Sequence, residues 1–493
     1  MKARSLAGLL ALAGLLVAGV SFSSAAFTAT GTNPGNGFGA SNAFNLTVSL
    51  ADPGAYLRGG VTLQANVGDG EDGSSITSVT IQQSSSGLDI WTDVCSDSTS
   101  PYSCSLDTTA LTDGLYDLRA VVLNNVGGSA TSTVLGGRRV DNTTPTGVTM
   151  SDPGSLLSGT VTYSGSASDA GSGVARVTFQ YSPAGLGSWT DACSDATAPY
   201  GCSFDTTGLG DALYDFRALA VDAAGNQAAS GAWSNRRVDN VSPSSALTNP
   251  GAYLRGTVTL DATASDGGGI ADVRIQRSPA GLGSWTDVCT DTTPPYSCSF
   301  DTTGVTDGLY DFRAVATDNA NRSTASAVVA NRRVDNTAPT AADIQTANGG
   351  ATAGRPETND TITFTYSEQI LSTSILAGWN GTSQAVTVRL NNNGGSDRLQ
   401  VWNAGNTAQL PLTGTFVSLN GNFVQNNVVF NATMVQSGAS ITITLGTLVS
   451  GTVRTDNSSL TLSWPASATA TDLAGNACST ATANETGAAD GDF

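Results

Sequence analysis

The sequence has no histidine, and its only lysine is Lys2 at the N-terminus. The first absence removes Ser–His and Cys–His nucleophile pairs and any histidine-based zinc site. The second removes a phosphate-binding P-loop and a lysine Schiff base. It also removes the lysine half of any Lys–Asn isopeptide crosslink within the domains. Charge of any kind is scarce: 12 % of the 493 residues are charged, 21 basic against 40 acidic, for a formal net charge of -19. So acidic a chain does not bind nucleic acid by neutralising phosphates. What is present is glycine, 57 residues, in a chain that is 39 % hydrophobic and so able to bury real cores rather than stay disordered.

Long apolar runs are missing except at the start. Lys2 and Arg4 precede an apolar run from Ser5 to Val20, and Ser23-Ser24-Ala25-Ala26 follows with small residues. That order reads as a signal peptide over residues 1–25, cleaved after Ala25 or Ala26; the run of about 16 residues is short for a bilayer span. No later stretch is apolar enough to cross a membrane, so the mature chain is expected to be exported, acidic and without a transmembrane segment. Residues 26–47, rich in Gly and Asn, read as a flexible leader.

The dominant feature is an internal repeat. W-T-D-V-C-S-D-S-T-S-P-Y-S-C-S-L-D-T-T begins at Trp91 and recurs, with small changes, from Trp189 and Trp285. Cys95, Cys193 and Cys289 set periods of 98 and 96 residues. Each unit continues D-x-L-Y-D-[LF]-R-A from Asp113, Asp211 and Asp307, and closes R-R-V-D-N with a proline soon after. Such a period is a whole domain, not a solenoid turn. Thr257 to Ala264 alternates with period two, and Tyr310, Phe312, Ala314 and Ala316 share one face of a strand whose other face carries Asp311, Arg313 and Val315. Seven short strands in about 95 residues is the count of an immunoglobulin-like sandwich. Tyr116, Tyr214 and Tyr310, each three residues after a turn Asp, occupy the place of a tyrosine corner.

The run P-Y-x-C-S-[LF]-D-T-T, the segment 307–318 and the closing V-D-N-T-A-P at 334–339 resemble bacterial immunoglobulin-like domains. The resemblance implies modular surface or secreted proteins and no particular activity. The segment from Ala26 to Asn36 resembles the start of camelysin-like exported proteins, some of which form surface fibres. The expected fold class is therefore all-β: tandem immunoglobulin-like β-sandwich domains in an elongated array, with repeats over 48–142, 143–240 and 241–336 and a larger C-terminal β-sandwich over 337–493. In that last segment Thr361 to Tyr366, Ala385 to Leu390 and Ile441 to Leu445 alternate cleanly.

Six of seven cysteines form three C-x8-C pairs, one per repeat, and in an exported chain this recurrence predicts disulfides Cys95–Cys104, Cys193–Cys202 and Cys289–Cys298. Because the partners are near neighbours, these bridges are not expected to join the two sheets as in antibody domains. Cys478 is left over, as a buried thiol or an intermolecular link.

The candidate site is electrostatic. In this topology each linker enters beside the B–C and F–G loops of the next domain. Asp141 and Asn142 then meet Asp169 and Asp222; Asp239 and Asn240 meet Asp266 and Asp318; Asp335 and Asn336 meet Glu368 and Asp472. Oxygens converging from three segments suit calcium, which takes six to eight of them; the alternative is that these residues only form turns and caps. Trp91, Trp189 and Trp285 either pack over the disulfides or stack on a sugar. The acidic residues sit at repeated turn positions with no evident cleft, so no catalysis is expected. The function expected is that of an adhesin, spacer or surface-layer component whose partner is an extracellular or cell-surface protein or glycan. The alternatives are a carbohydrate-binding accessory protein and a fibre-forming matrix subunit.

Overall fold

A computed structural model describes residues 46–68, 74–458 and 461–487. The proposed signal peptide, nearly all of the leader and the camelysin-like segment lie outside them. Repeat 1 belongs to one compact unit ending at Thr143; repeats 2 and 3 and the C-terminal domain form the other, from Thr144. Among the described residues no helix is long and apolar enough to cross a membrane.

Each repeat is a two-sheet sandwich. In repeat 3, Ser244–Leu247, Thr257–Ser265 and Tyr296–Asp301 make a three-stranded sheet. The facing sheet runs Tyr253–Leu254, Val329–Val334, Gly308–Asp318, Ile270–Pro279 and Thr286–Asp291, with Ser323–Ala325 paired onto Gly308–Asp318. The short Tyr253–Leu254 strand pairs parallel with Val329–Val334, so the chain changes sheets at its first strand. Alternation produces this arrangement because successive side chains of a strand point to opposite faces. Tyr310, Phe312, Ala314 and Ala316 are all buried, against Leu260, Val273 and Ile275. In repeat 2 Phe179 and Phe216 flank Tyr163 with ring centroids 5.9 and 5.7 Å away.

The tyrosine corner is present three times. Tyr116, Tyr214 and Tyr310 donate from the phenol to the backbone oxygens of Thr112, Gly210 and Thr306 at 3.0, 3.2 and 3.0 Å. All three disulfides form as paired from the sequence. Their position differs from expectation. Cys289 lies in Thr286–Asp291, at the edge of the larger sheet, and Cys298 in Tyr296–Asp301, in the smaller one, so the bridge does join the two sheets. The same holds for Cys95–Cys104 and Cys193–Cys202. Neighbours in sequence become opposed because the chain crosses from sheet to sheet between them.

The C-terminal domain, expected as an enlarged sandwich, is one nine-stranded sheet. It curls until its two end strands, Ala341–Ala347 and Thr482–Asn484, lie beside each other, and Thr486 N–H donates to Asp343 Oδ1 at 2.8 Å. Register shifts between Val428–Ser437 and Ser440–Ser450 supply the bend. Inside, Trp464 meets Phe364 and Tyr366 edge-on, and its indole N–H donates to the Leu412 oxygen at 2.8 Å. Cys478 is a buried free thiol, pushed by burial up to about 11 and so unreactive as a nucleophile near neutrality.

Candidate functional site

Each repeat ends by tying its linker back to itself. Asn240 Oδ1 accepts from Gly159 N at 2.9 Å, and its amide nitrogen donates to Thr206 O at 2.9 Å. Asn142 does the same with Gly59 and Thr108, and Asn336 with Gly256 and Thr302. The donating N–H groups belong to glycines at φ near +60°, a conformation that side chains disfavour. Asn142, Asn240 and Asn336, expected as ligands, therefore each tie their side chains back into their own domain. Before the second and third of these, Asp239 and Asp335 are the residues left to face onward.

Between repeats 2 and 3 that residue is Asp239. It is fully buried, and neither of its carboxylate oxygens has a hydrogen-bond partner among the described residues. One oxygen each from Asp239, Asp266 and Asp318 lie within 4.8 Å of one another. Asp266 comes from the loop after Thr257–Ser265, where Oδ2 accepts from Gly268 N at 2.7 Å. Asp318 ends Gly308–Asp318; Oδ1 accepts from Arg322 N at 2.8 Å, while Oδ2 is buried without a partner. Burial first, then the charges of Asp266 and Asp318, push the Asp239 carboxyl above its ordinary range. The backbone closes tightly here, since a Cβ on Gly268 would fall on Asp239 Oδ2. Arg322 reaches back to repeat 2, its guanidinium donating to Ser158 Oγ at 3.1 Å and Asn240 Oδ1 at 3.0 Å.

Between repeat 3 and the C-terminal domain the corresponding oxygens of Asp335, Glu368 and Asp472 also lie within 4.8 Å of one another. Asp335 and Glu368 border a cavity of about 240 Å³ lined in addition by Tyr253, Arg333, Gln369 and Leu473. Here two of the three carboxylates, Asp335 and Asp472, have partners. Arg333 Nε lies 3.2 Å from Asp335 Oδ2, and both Asp472 oxygens accept from Asn476, at 2.8 Å from its backbone and 2.8 Å from its side chain. Burial, then Asp335 and Asp472, push Glu368 up to about 7. Of the remaining expected residues, Asp141 is buried at the end of repeat 1. Asp169 accepts from Gly173 N at 2.7 Å, and Asp222 accepts from the backbone and side chain of Asn226 at 2.7 and 2.9 Å.

The tryptophans belong to a surface ladder that pattern reading missed. Arg119, Arg217 and Arg313 sit over Trp91, Trp189 and Trp285 at 4.0, 4.1 and 4.2 Å from the ring centroids. Each arginine Nε also donates to Gln82, Gln180 or Gln276, whose amide donates to Asp93, Asp191 or Asp287. The rings are half-buried with a guanidinium on one face, an arrangement that accounts for them without a ligand. The repeated x-Y-D-[LF]-R-A held the signal, since its arginine recurs on the outward face opposite the core tyrosine. Its aspartate is a staple: Asp311 takes the N–H groups of Gly281 and Asn331 at 2.9 and 2.8 Å, tying two turns to one strand.

Residues 47–120, 146–218 and 243–314 match the family described as bacterial Ig domain, so three tandem bacterial Ig-like repeats make up this part of the chain. No curated protein matches the chain. Similar solved structures include the fibronectin(III)-like modules of Clostridium thermocellum CbhA, 21 % identical over 39 % of this chain and 93 % of that one, at a TM-score of 0.28. The chicken CNTN1 FN1–FN3 domains are 13 % identical over 57 % and 96 %, at 0.25. Domains A168–A170 of titin are 13 % identical over 59 % and 100 %, also at 0.25.

Proposed function

We propose that this chain of bacterial Ig-like repeats is an exported, non-catalytic spacer of the cell surface or extracellular space, whose acidic junctions take up calcium and so set the angle between successive domains. The observation that carries the reading is the buried aspartate at the end of a repeat, facing two carboxylates of the domain that follows. Carboxylates so close repel unless a cation or proton intervenes, and a hard dication accepts oxygens from several segments at once. The disulfides support an oxidising compartment. The repeats also carry an internal comparison. Eight residues after the corner tyrosine stand Asp222 and Asp318, but Asn124 in the repeat that no other repeat precedes in this sequence.

The experiment is expression of residues 1–493 in a bacterial host, followed by fractionation, intact-mass measurement and protease treatment of whole cells. The expected product lacks residues 1–25, carries three disulfides and one thiol, and is found in the medium or is protease-accessible on cells. Uncleaved, reduced chain in the cytoplasm contradicts the reading.

A further inference from the structure

The two junctions of the larger unit are not equivalent, and they differ at two places. Four residues after the F–G aspartate stand Asn226, Arg322 and Asn476. In two cases the asparagine amide donates to the aspartate's second oxygen, at 2.9 Å on Asp222 and 2.8 Å on Asp472. Arginine at 322 instead turns its guanidinium to Ser158 and Asn240 of repeat 2, and Asp318 Oδ2 stays buried with no donor. The linker residue differs in the same sense. Asp335 is paired to Arg333, whereas the matching Arg237 makes no ion pair with Asp239, leaving both Asp239 oxygens without partners. Three orphaned carboxylate oxygens thus meet between repeats 2 and 3, on side chains that are fully buried.

Leaving buried charged oxygens unmatched is strongly unfavourable in general, so a fold that does so in three places at once provides for a ligand that matches them. The set is all oxygen, without thiolate or imidazole, which selects a hard dication over zinc or copper. Resting on the reading of the junctions as cation seats, we infer that Asp239, Asp266 and Asp318 form the principal calcium site of this chain, filled before the Asp335, Glu368 and Asp472 cluster. Water completes the coordination, and Arg322 holds repeat 2 in place from outside the site.

The test is calorimetric titration of calcium chloride into the disulfide-intact chain stripped of metal, for the parent and for Asp239→Asn, Asp318→Asn and Asp335→Asn. The tightest phase should weaken at least about tenfold in the first two, the scale on which even outer-shell partners act, and persist in the third. Melting in chelator checks the fold: Asp239→Asn relieves repulsion and should melt no lower than the parent, and Asp318→Asn gives a second variant if it does. Loss of the tightest phase in Asp335→Asn alone overturns this assignment while leaving calcium at the junctions. Absence of any binding at millimolar calcium overturns the junction reading as well.

Discussion

Tyr310 shows what single residues contribute. Its ring is core and its hydroxyl fastens the turn at Thr306, so Tyr310→Phe keeps the packing and loses the bonds to Thr306; denaturant unfolding should register about 1 kcal/mol. Phe312→Ala empties a fully buried site and should cost about 3–5 kcal/mol. Gly268→Ala is a sharper probe, because the new methyl takes the place of Asp239 Oδ2. It should weaken calcium binding and lower the melting temperature in calcium more than in chelator. Equal losses in both would detach Gly268 from the site. At this scale the sequence was legible wherever a residue's role follows from alternation or from local spacing, as with the corner tyrosines and the buried face of Gly308–Asp318. It was not legible for Asn142, Asn240 and Asn336, whose amides turn back to glycines about eighty residues earlier, a contact no local pattern encodes.

Among the elements, the disulfide hairpins stand out. Pairing was readable from recurrence; the bridging of two sheets was not, because it depends on the chain crossing between them. Closing so short a loop contributes about 2–3 kcal/mol on the chain-entropy estimate, so reduction should lower the unfolding midpoint of every repeat. An unchanged midpoint would make the bridges dispensable. The loop between the cysteines is also held by Asp97, Asp195 and Asp291, which accept from the backbone of Ser103, Gly201 and Ser297 at 2.9, 3.0 and 2.9 Å. Those bonds, followed by the N–H groups of Thr99, Thr197 and Thr293, hold the carboxyls below their ordinary value of 3.8. A lowered folded value means the stabilisation is complete above 3.8 and is lost as pH falls through the folded value. Amide exchange at Ser103, Gly201 and Ser297, corrected for intrinsic rates, should stay protected from pH 7 to pH 5 and lose protection only below about pH 3.8. Loss already at pH 5 would contradict it. In the C-terminal domain strand alternation was readable, but whether strands divide between two sheets or continue around one depends on register shifts within long hairpins, which alternation does not show.

For the whole molecule, the repeat period, the all-β class and the placing of the acidic residues beside the junctions follow from sequence. Which junction is strongest does not, because it turns on Arg322 and Arg333 choosing different partners in three dimensions. In the proposed role, calcium joins consecutive domains through these carboxylates. Hydrogen–deuterium exchange with peptide resolution, in calcium and in chelator, tests it most directly. Calcium should slow exchange in the peptides spanning 239–243, 265–270 and 318–323 and leave the distant disulfide hairpins of the same repeats unchanged. Identical exchange in the two conditions across all three junction peptides would contradict the claim and reduce these aspartates to turn formers.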